Sequence, residues 1–519
     1  MDDWMPLSRR SLGLGLFGAA AVATLGRPVL AQAAAPANGV MRVATIGEPG
    51  TLDPTTTTAD LVSIITQHIF ETLYAFDASW QIRPLLAADM PVVSADSRQY
   101  TIKLRQGVKF HDGSPMTGAD VVASLQRWLK VSPRGKLAAP AIHSVAMRGD
   151  ALVIDLDQPF APLLSLLALS NGAAAIIPAK LAGEAMLNTY IGTGPYKLLE
   201  HKPDQYIRLV RFDQYASPAG TPSGYAGARK ALVEEVRFIP VPNATTRVDG
   251  ILAGQYDFAD SLPAEMAGRF KGHADVAPIV VKPFGFPLMI FNEKQGIMQD
   301  VRLRQAVQAA LSCADMMAGG FGNPDFFQIE GSIYDKGTHF YDESSVKGYN
   351  QHDPAKAKAL LKQAGYKGQP VRIMTSQQYD FLYKMSLVAQ QNLQDAGFTV
   401  DLQVLDWATL LQHRANPAAW DALFTYHTFV PEPSLITIMD PDYPGWWNTP
   451  EKRAALAAFD TDTEDAKRLA DWHRIQTLFY QQVPAIKVGD FYNLAARQTK
   501  VTGYTVTPWP FFWNVDLKA

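Results

Sequence analysis

Cysteine is almost absent from this sequence, because Cys313 is the single cysteine among 519 residues. No disulfide can form within the chain, so its stability must come from buried apolar side chains. A strong excess of one charge is also lacking, since 47 Lys and Arg residues face 50 Asp and Glu residues. This balance predicts no basic surface for nucleic acid. After the N-terminal segment no run of 18 apolar residues occurs, so no membrane-spanning helix is expected.

Recognisable catalytic motifs are missing as well. The sequence contains neither G-x-S-x-G nor H-E-x-x-H, and its ten histidines show no spacing typical of metal ligands. Cys313 falls on the apolar side of a helix predicted over residues 300–317, which is typical of a core residue rather than a nucleophile. We therefore expect a protein that is not an enzyme and that holds no cofactor and no metal ion.

The N-terminal stretch "SRRSLGLGLFGAAAVATLG" contains a G-x-G-x-x-G spacing at residues 13–18. A dinucleotide-binding loop would need a strand before the glycines and an acidic residue about 20 positions later, and both are missing. Arg9-Arg10, the apolar run that follows and Ala31-Gln32-Ala33 instead match a signal peptide over residues 1–33. The paired arginines resemble the twin-arginine (Tat) type, with the ordinary secretory route as the alternative.

The cellular compartment is predicted from this N-terminal segment and from the lack of a cysteine close to it. No cysteine lies near the predicted cleavage site, so no lipid anchor is expected there. We predict an exported, soluble protein in a bacterial periplasm.

The remainder of the chain has an α/β pattern with two points where it passes between halves. Residues 278–291 hold three prolines in an apolar stretch, residues 285–485 alternate between strand and helix patterns, and a further proline precedes the strands after 484. Two crossings imply two lobes joined by two hinge strands. We expect lobe I to comprise residues 34–280 and 488–519, and lobe II to comprise residues 281–487. Local patterns also predict a helix over 61–73 and a Thr117–Asp120 capping pair.

Several motifs resemble one family and occur in its order along nearly the whole chain. They are "GEPGTLDP" (47–54), "IFETLYAFD" (69–77), "YTIKLRQGVKFHDGSPMTGADVVASLQR" (100–127), "GTGPYKL" (192–198) and "DVRLRQAVQAALS" (300–312). The sequence is similar to the extracytoplasmic solute-binding proteins of bacterial ABC transporters, family 5, which includes dipeptide-, oligopeptide- and nickel-binding members.

This resemblance implies a two-lobed periplasmic-binding-protein fold of type II, in the large cluster with an extra β-rich subdomain, here at about 80–190. It also implies a function, in which the lobes close like a flytrap on a small molecule or short peptide and deliver it to an ABC permease in the inner membrane. The protein would be a monomer.

The resemblance also implies where the ligand is held. Thr58 and Asp60 lie in the loop after the first strand, although Asp60 could instead cap a helix. Asn171 lies in "LALSNGAA". Tyr379 precedes a predicted helix and Trp407 follows a predicted strand, and either could instead belong to the core.

The segment "DALFTYHTFVPEPSLI" is the most informative, because peptide-binding relatives resemble "GW-x-x-DYPDP" there. Their first aspartate pairs with the peptide ammonium, and Phe429 stands at that position in this sequence. A peptide held by its N-terminus would then need another acid, such as Asp60. Tyr426, His427 and Phe429 are predicted ligand contacts.

Aromatic residues in loops rich in Pro and Gly complete the predicted site. Trp446, Trp509 and Phe511 are the candidates. Together these rings suit a ligand that is apolar, aromatic or sugar-like. Peptide or peptide-like ligands remain the family default, opines, sugars and aromatic compounds are alternatives, and nickel is the least supported. An exported enzyme, or a partner of a membrane receptor, is the alternative function.

Overall fold

A computed structural model describes residues 39–336 and 338–518 of the chain. The predicted signal peptide at residues 1–33 and its twin-arginine motif lie outside the described residues. Within those residues, no helix is long and apolar enough to cross a membrane.

The strands alternate with helices through most of the chain. They are β1 (Val40–Thr45), β2 (Tyr74–Phe76), β3 (Ile82–Pro84), β4 (Val92–Val93), β5 (Gln99–Lys103), β6 (Ile142–Arg148), β7 (Ala151–Leu156), β8 (Tyr196–Lys202), β9 (Tyr206–Arg211), β10 (Glu235–Pro240), β11 (Phe258–Leu262), β12 (Val276–Phe291), β13 (Phe327–Gln328), β14 (Pro370–Thr375), β15 (Thr399–Val404), β16 (Ala422–Thr428), β17 (Ala485–Lys487), β18 (Asp490–Gln498), β19 (Val501–Thr502) and β20 (Asp516–Leu517).

The helices are mostly short and amphipathic. They are α1 (Asp60–Thr66), α2 (Gly118–Val131), α3 (Pro133–Ala138), α4 (Leu163–Ala168), α5 (Ala244–Leu252), α6 (Val301–Ala310), α7 (Cys313–Phe321), α8 (Pro354–Ala364), α9 (Asp380–Asp395), α10 (Trp407–His413), α11 (Pro450–Thr461) and α12 (Asp465–Gln482).

One large mixed sheet runs through the described chain in the order β15-β14-β16-β12-β18-β11-β1-β10-β9-β8. On one side, β1 pairs in parallel with β10 and β11, and on the other β14 pairs in parallel with β15 and β16. The two central strands, β12 and β18, are antiparallel to each other. The predicted α/β class therefore appears as two partly parallel half-sheets joined by antiparallel strands.

The long strand β12 changes partner along its length. Its first part, Val276–Val281, pairs with β18, and its second part, Gly285–Phe291, pairs with β16. The register shifts between these two parts. Both crossings expected from the sequence, near 280 and near 487, fall at β12 and at the β17–β18 connection.

A separate four-stranded sheet, β4-β5-β7-β6, packs with α2 inside the range expected for the extra subdomain. The predicted capping pair at the start of α2 is confirmed. The Asp120 amide donates to the Thr117 hydroxyl at 3.4 Å, and the Thr117 amide donates to the Asp120 carboxylate at 2.8 Å.

Two predicted helices are shorter than their periodicity indicates. The helix predicted over 61–73 ends at Thr66, because the next residues bind the C-terminal segment. Gln67 Nε2 donates to the Pro510 carbonyl at 2.9 Å, and the Phe512 backbone amide donates to His68 Nε2 at 2.9 Å. The helix predicted over 300–317 breaks at Leu311–Ser312, where the Ser312 hydroxyl caps α7. Cys313 is buried, as predicted.

Candidate functional site

A pocket lies between segments that precede β12 and segments that follow it. We call it the central pocket; it has about 530 Å³ of empty space, part of it open to solvent. Seven predicted site residues line it together, and the structure adds others that the sequence reasoning missed. The predicted ones are Thr58, Asp60, Asn171, Tyr379, Trp407, Tyr426 and His427, and the added ones include Arg134, Arg414, Thr428 and Tyr443.

The ends of secondary-structure elements position these side chains. Asp60 is the first residue of α1, and Ala59 rather than Asp60 occupies the N-cap position, so the alternative of a helix cap is wrong. Tyr379 is the N-cap residue of α9, and Trp407 begins α10. Tyr426 lies near the end of β16. The pocket therefore has walls from both half-sheets.

The Asp60 carboxylate is the point where the two walls meet. It accepts hydrogen bonds from the Tyr426 hydroxyl at 2.9 Å and the Thr428 hydroxyl at 2.6 Å, which both follow β12, and from Trp509 Nε1 at 2.7 Å. None of the ion pairs among the described residues includes Asp60. Three donors thus stabilise a carboxylate that has no cationic partner.

Arg134 supplies the opposite charge in the same pocket. Only 1% of its surface is exposed. Its Nη2 donates to Asn171 Oδ1 at 2.9 Å, another Nη donates to the Leu435 carbonyl, and its Nε has no hydrogen-bond partner. Burial lowers the pKa of Arg134 to about 10, which leaves it charged at neutral pH. In residues 39–336 and 338–518, no carboxylate forms an ion pair with it.

Arg134 was the main residue that sequence reasoning missed. It stands in the first turn of α3, directly after Pro133 and the capping hydroxyl of Ser132. A cation in the first turn of a helix is opposed by the helix dipole. This unfavourable position of a cation in a short helix was the sequence feature that could have pointed to Arg134.

His427 is neutral in this setting. Burial lowers its pKa to about 3, with the nearby Arg134 charge acting in the same direction. Its Nε2 accepts a hydrogen bond from the Thr437 amide at 2.9 Å and lies 2.6 Å from the Thr437 hydroxyl. The ring is therefore held in place by the backbone that follows β16, and its uncharged form lines the pocket.

Two neighbouring tyrosines form the aromatic wall of the central pocket. The rings of Tyr379 and Tyr426 are 5.0 Å apart in an edge-to-face arrangement, and Trp407 stands 4.8 Å from Tyr379. The Tyr426 hydroxyl lies 3.3 Å from that of Tyr379. Burial raises the pKa of both tyrosines, so both hydroxyls keep their protons and can act as donors.

The other four predicted residues lie outside the lining of this pocket. Phe429 faces a neighbouring cavity, 5.6 Å from the ring of Trp80. Trp446 stacks on Trp420 at 5.8 Å, and Phe511 stacks on Trp513 at 4.1 Å. Trp509 touches the central pocket only through its hydrogen bond to Asp60. No group of three or more potential metal ligands occurs in the part of the chain that the structure describes.

Comparison with known proteins defines the family. The model of the bacterial extracellular solute-binding proteins, family 5 (middle region), matches residues 81–469. The chain belongs to this family and is a solute-binding protein, as the sequence motifs predict.

Among curated relatives, the probable peptide ABC transporter periplasmic-binding protein y4tO of Sinorhizobium fredii is 26% identical, covering 99% of this chain and 100% of that protein. The glutathione-binding protein GsiB of Pectobacterium atrosepticum is also 26% identical, over 88% of this chain and 90% of its own. The relatives are thus similar over nearly their full lengths.

Solved structures share the fold. Helicobacter pylori DppA in complex with peptide STSA superposes with a TM-score of 0.81 at 20% identity, over 93% of this chain and 98% of that one. AgaA from A. tumefaciens R10, in complex with agropinic acid, gives 0.80 at 24% identity, over 93% and 99%. These likenesses confirm the predicted two-lobed periplasmic-binding-protein fold.

Proposed function

We propose that this chain is the exported solute-binding component of an ABC importer, that it carries a small zwitterionic solute, peptide or peptide-like, in the central pocket, and that it performs no chemical step. It would act as a monomer, free in the periplasm after twin-arginine export, and deliver the solute to an ABC permease of the inner membrane. Lobe I would comprise residues 34–280 and 488–519, lobe II residues 281–487, and the subdomain about 80–190.

The observation that carries this proposal is the buried, unpaired guanidinium of Arg134. An isolated charge removed from water costs several kcal/mol unless an opposite charge meets it. Asn171 and the Leu435 carbonyl satisfy only part of the guanidinium, and Nε is left free. Burial lowers the pKa of Arg134, and the charges of Asp440 and Asp60 oppose that shift without an ion pair to it. A solute carboxylate would supply the missing ion-pair partner and the missing acceptor.

Asp60 provides the matching group for the other end of a zwitterion. Phe429 stands where peptide-binding relatives have an aspartate, so an ammonium group needs a carboxylate elsewhere. The Asp60 carboxylate lies in the same pocket as Arg134, and neither is used up by an ion pair to the other. An amino acid derivative with free amino and carboxyl groups fits this pair of charges.

The solute would also control closure. The central pocket takes residues from both sides of β12, so a bound solute contacts both lobes. Its affinity for the closed arrangement then shifts the equilibrium toward closure. The names of y4tO and GsiB indicate peptide ligands for those relatives, which supports a peptide-like solute here.

A non-peptide amino acid derivative, such as an opine, is the second candidate. The observation that favours it is that Phe429, which the family resemblance aligns with an aspartate of peptide-binding members, faces an aromatic cavity. The complex of AgaA with agropinic acid shows that this fold can hold such a ligand in another protein.

Thermal unfolding with a panel of dipeptides, opines, sugars and aromatic acids tests the proposal. We expect zwitterionic compounds to raise the unfolding midpoint of the wild type in a concentration-dependent way. The same compounds with the carboxyl converted to an amide should not. Arg134→Gln should weaken binding of the free acid at least tenfold, since a hydrogen-bonded charge contributes about 1.5–3 kcal/mol.

Two results would contradict this assignment. If amides stabilised the protein as well as acids do, Arg134 would not be the carboxylate partner. If sugars or uncharged aromatics alone stabilised it, the zwitterionic class would be wrong. His427→Ala serves as a pocket variant that leaves both charges in place, and it should retain the preference for acids over amides.

A further inference from the structure

A second and larger cavity lies beside the central pocket. We call it the aromatic chamber; it has about 1310 Å³ of empty space, part of it open to solvent, against about 530 Å³ for the central pocket. Its walls come from the β2–β3 turn on one side and from segments that follow β12 on the other. Its lining includes Trp80, Ser165, Tyr334, Phe429, Glu432 and Arg468.

Trp80 reaches this chamber from an uncommon backbone conformation. Its φ is 58°, in the left-handed region, which a bulky residue adopts only where the surroundings hold it. The turn is fixed by Asp77, whose carboxylate accepts from the amides of Ser79 and Gln81 at 2.9 Å each. The result is that the indole stands 5.6 Å from Phe429, across the space between the two half-sheets.

Further aromatic rings lie next to Phe429, in the wall formed by the segments that follow β12. Phe429 lies 6.0 Å from Tyr334, and Tyr334 lies 5.5 Å from Phe340. Burial raises the pKa of Tyr334, and its hydroxyl has no hydrogen-bond partner. Rings from both sides, packed edge to face on one another, make up the apolar part of the lining, beside polar residues such as Ser79 and Ser165. The apolar part suits an aromatic group.

The charged residues of the chamber are already paired with each other. Arg468 donates to Glu432 at 2.6 Å and 3.2 Å, and both side chains are largely buried. His339 and Asp465 form a second pair at 2.6 Å on the exposed rim. With these charges satisfied internally, an uncharged group meets no unpaired ion in the chamber.

The chamber adjoins the central pocket. Val430 lines the central pocket, whereas its neighbours Phe429 and Pro431 line the chamber. Trp509 donates to Asp60 in the central pocket, and its ring stands 6.5 Å from Trp80. A single backbone segment and one indole therefore separate the two spaces.

We propose that the aromatic chamber is a second binding site, which takes an uncharged aromatic group of the solute. The proposal rests on the proposed function, since it places the ionised groups of that solute in the central pocket. It explains the phenylalanine at position 429: this residue contributes a wall for an aromatic group where a carboxylate would bind an ammonium.

The chamber can be probed without knowledge of the natural solute. N-phenyl-1-naphthylamine is an uncharged aromatic dye whose fluorescence rises in apolar surroundings. Ser165→Trp places an indole into the chamber from α4, and Ser165→Ala is its matched control. Arg134→Gln changes only the central pocket. Circular dichroism and the unfolding midpoint establish that each variant is folded, and Ser79→Trp replaces Ser165→Trp if that variant is not.

We expect the dye to bind the wild type, Ser165→Ala and Arg134→Gln alike, and to bind Ser165→Trp at least tenfold more weakly. The proposal would be overturned if the dye showed no fluorescence increase with the wild type. It would also be overturned if folded Ser165→Trp bound the dye as tightly as the wild type does. Loss of the dye in Arg134→Gln would overturn it too, because the dye would then occupy the central pocket. Failure of the proposed function appears separately, as the absence of any stabilisation by zwitterions.

Discussion

At the scale of single residues, the orientation of Arg134 depends on a glycine. Gly172 has a φ of 64°, and a Cβ at this position would come within 2.5 Å of Arg134 Cγ. The carbonyl of Gly172 also accepts from Trp128 Nε1 and from the Ser132 hydroxyl, each at 2.9 Å. These two hydrogen bonds hold the backbone at Gly172 in place. A larger residue there must therefore displace the Arg134 side chain and its guanidinium.

We predict that Gly172→Ala weakens solute binding at least tenfold. Gly149→Ala is a matched control, because Gly149 has the same φ of 64° and nothing lies within 4 Å of the position its Cβ would occupy. Both variants should lose about 1 kcal/mol of stability from the backbone strain. Calorimetric titration with a solute found in the thermal panel measures the difference. Equal affinity in the two variants would show that Arg134 does not act on the solute.

Residue-level prediction from the sequence brought residues together where position in a motif carries the information, and their contact with a ligand stays a prediction. Thr58, Asp60 and His427 line one pocket because the loop after β1 and the end of β16 meet there. It could not separate Tyr426, in the pocket, from Trp446 and Phe511, which pack on other rings. An aromatic side chain looks the same in sequence whether its partner is a ligand or another side chain.

At the scale of elements, local signals predicted starts better than ends. The capping box of α2 depends on neighbours within one turn, and it is confirmed. The end of α1 depends on contacts with residues more than 440 positions away, namely Pro510 and Phe512. Periodicity in one window cannot report such a contact, so the predicted helix was too long.

The capping box gives a test at this scale. Thr117 is exposed, so its replacement removes the cap without opening a cavity. Thr117→Ala should lower the free energy of unfolding by about 1 kcal/mol, whereas Thr117→Ser should keep most of it. Urea unfolding followed by circular dichroism gives both values. If the alanine and serine variants unfold at the same urea concentration, the cap does not contribute to stability.

At the scale of the whole molecule, several carboxyls are buried far from water. Burial raises the pKa of Glu293 to about 7, that of Asp460 to about 7 and that of Asp490 to about 8. Glu293 and Asp490 lie within ion-pair distance of Arg304 and Lys487, whereas Asp460 has no such partner among the described residues. Asp460 therefore keeps its proton in the folded protein at pH values where the unfolded chain has released it. By linkage, stability falls as pH rises from about 4 toward the folded-state pKa of Asp460.

Asp460→Asn should remove the contribution of Asp460 to this pH dependence of stability. Asn is nearly the same size and can still accept from the Ser434 hydroxyl, which donates to Asp460 Oδ1 at 2.7 Å. Between about pH 4 and pH 7, the variant should gain up to about 1.4 kcal/mol per pH unit relative to wild type. Urea midpoints at several pH values measure this gain, with the exposed Asp325→Asn as control. Parallel curves for Asp460→Asn and wild type would contradict the buried-acid explanation.

Prolines and a change of pattern mark the two expected crossings in the sequence, and the structure has β12 and the β17–β18 connection at these positions. The order of strands is not marked in this way, since pairing partners such as β1 and β10 are almost 200 residues apart. The local sequence of one strand does not specify which other strand pairs with it. The sequence thus indicates where strands lie along the chain, but not which strands pair.

The placement of β18 has a consequence for synthesis. This strand lies between β11 and β12, so it completes the middle of the sheet, yet it is made after every residue up to Gly489. Until β18 has been synthesised, the strand between β11 and β12 is missing. The edges of β11 and β12 that pair with β18 then have no partner strand. The middle of the sheet therefore cannot be completed until translation is nearly over.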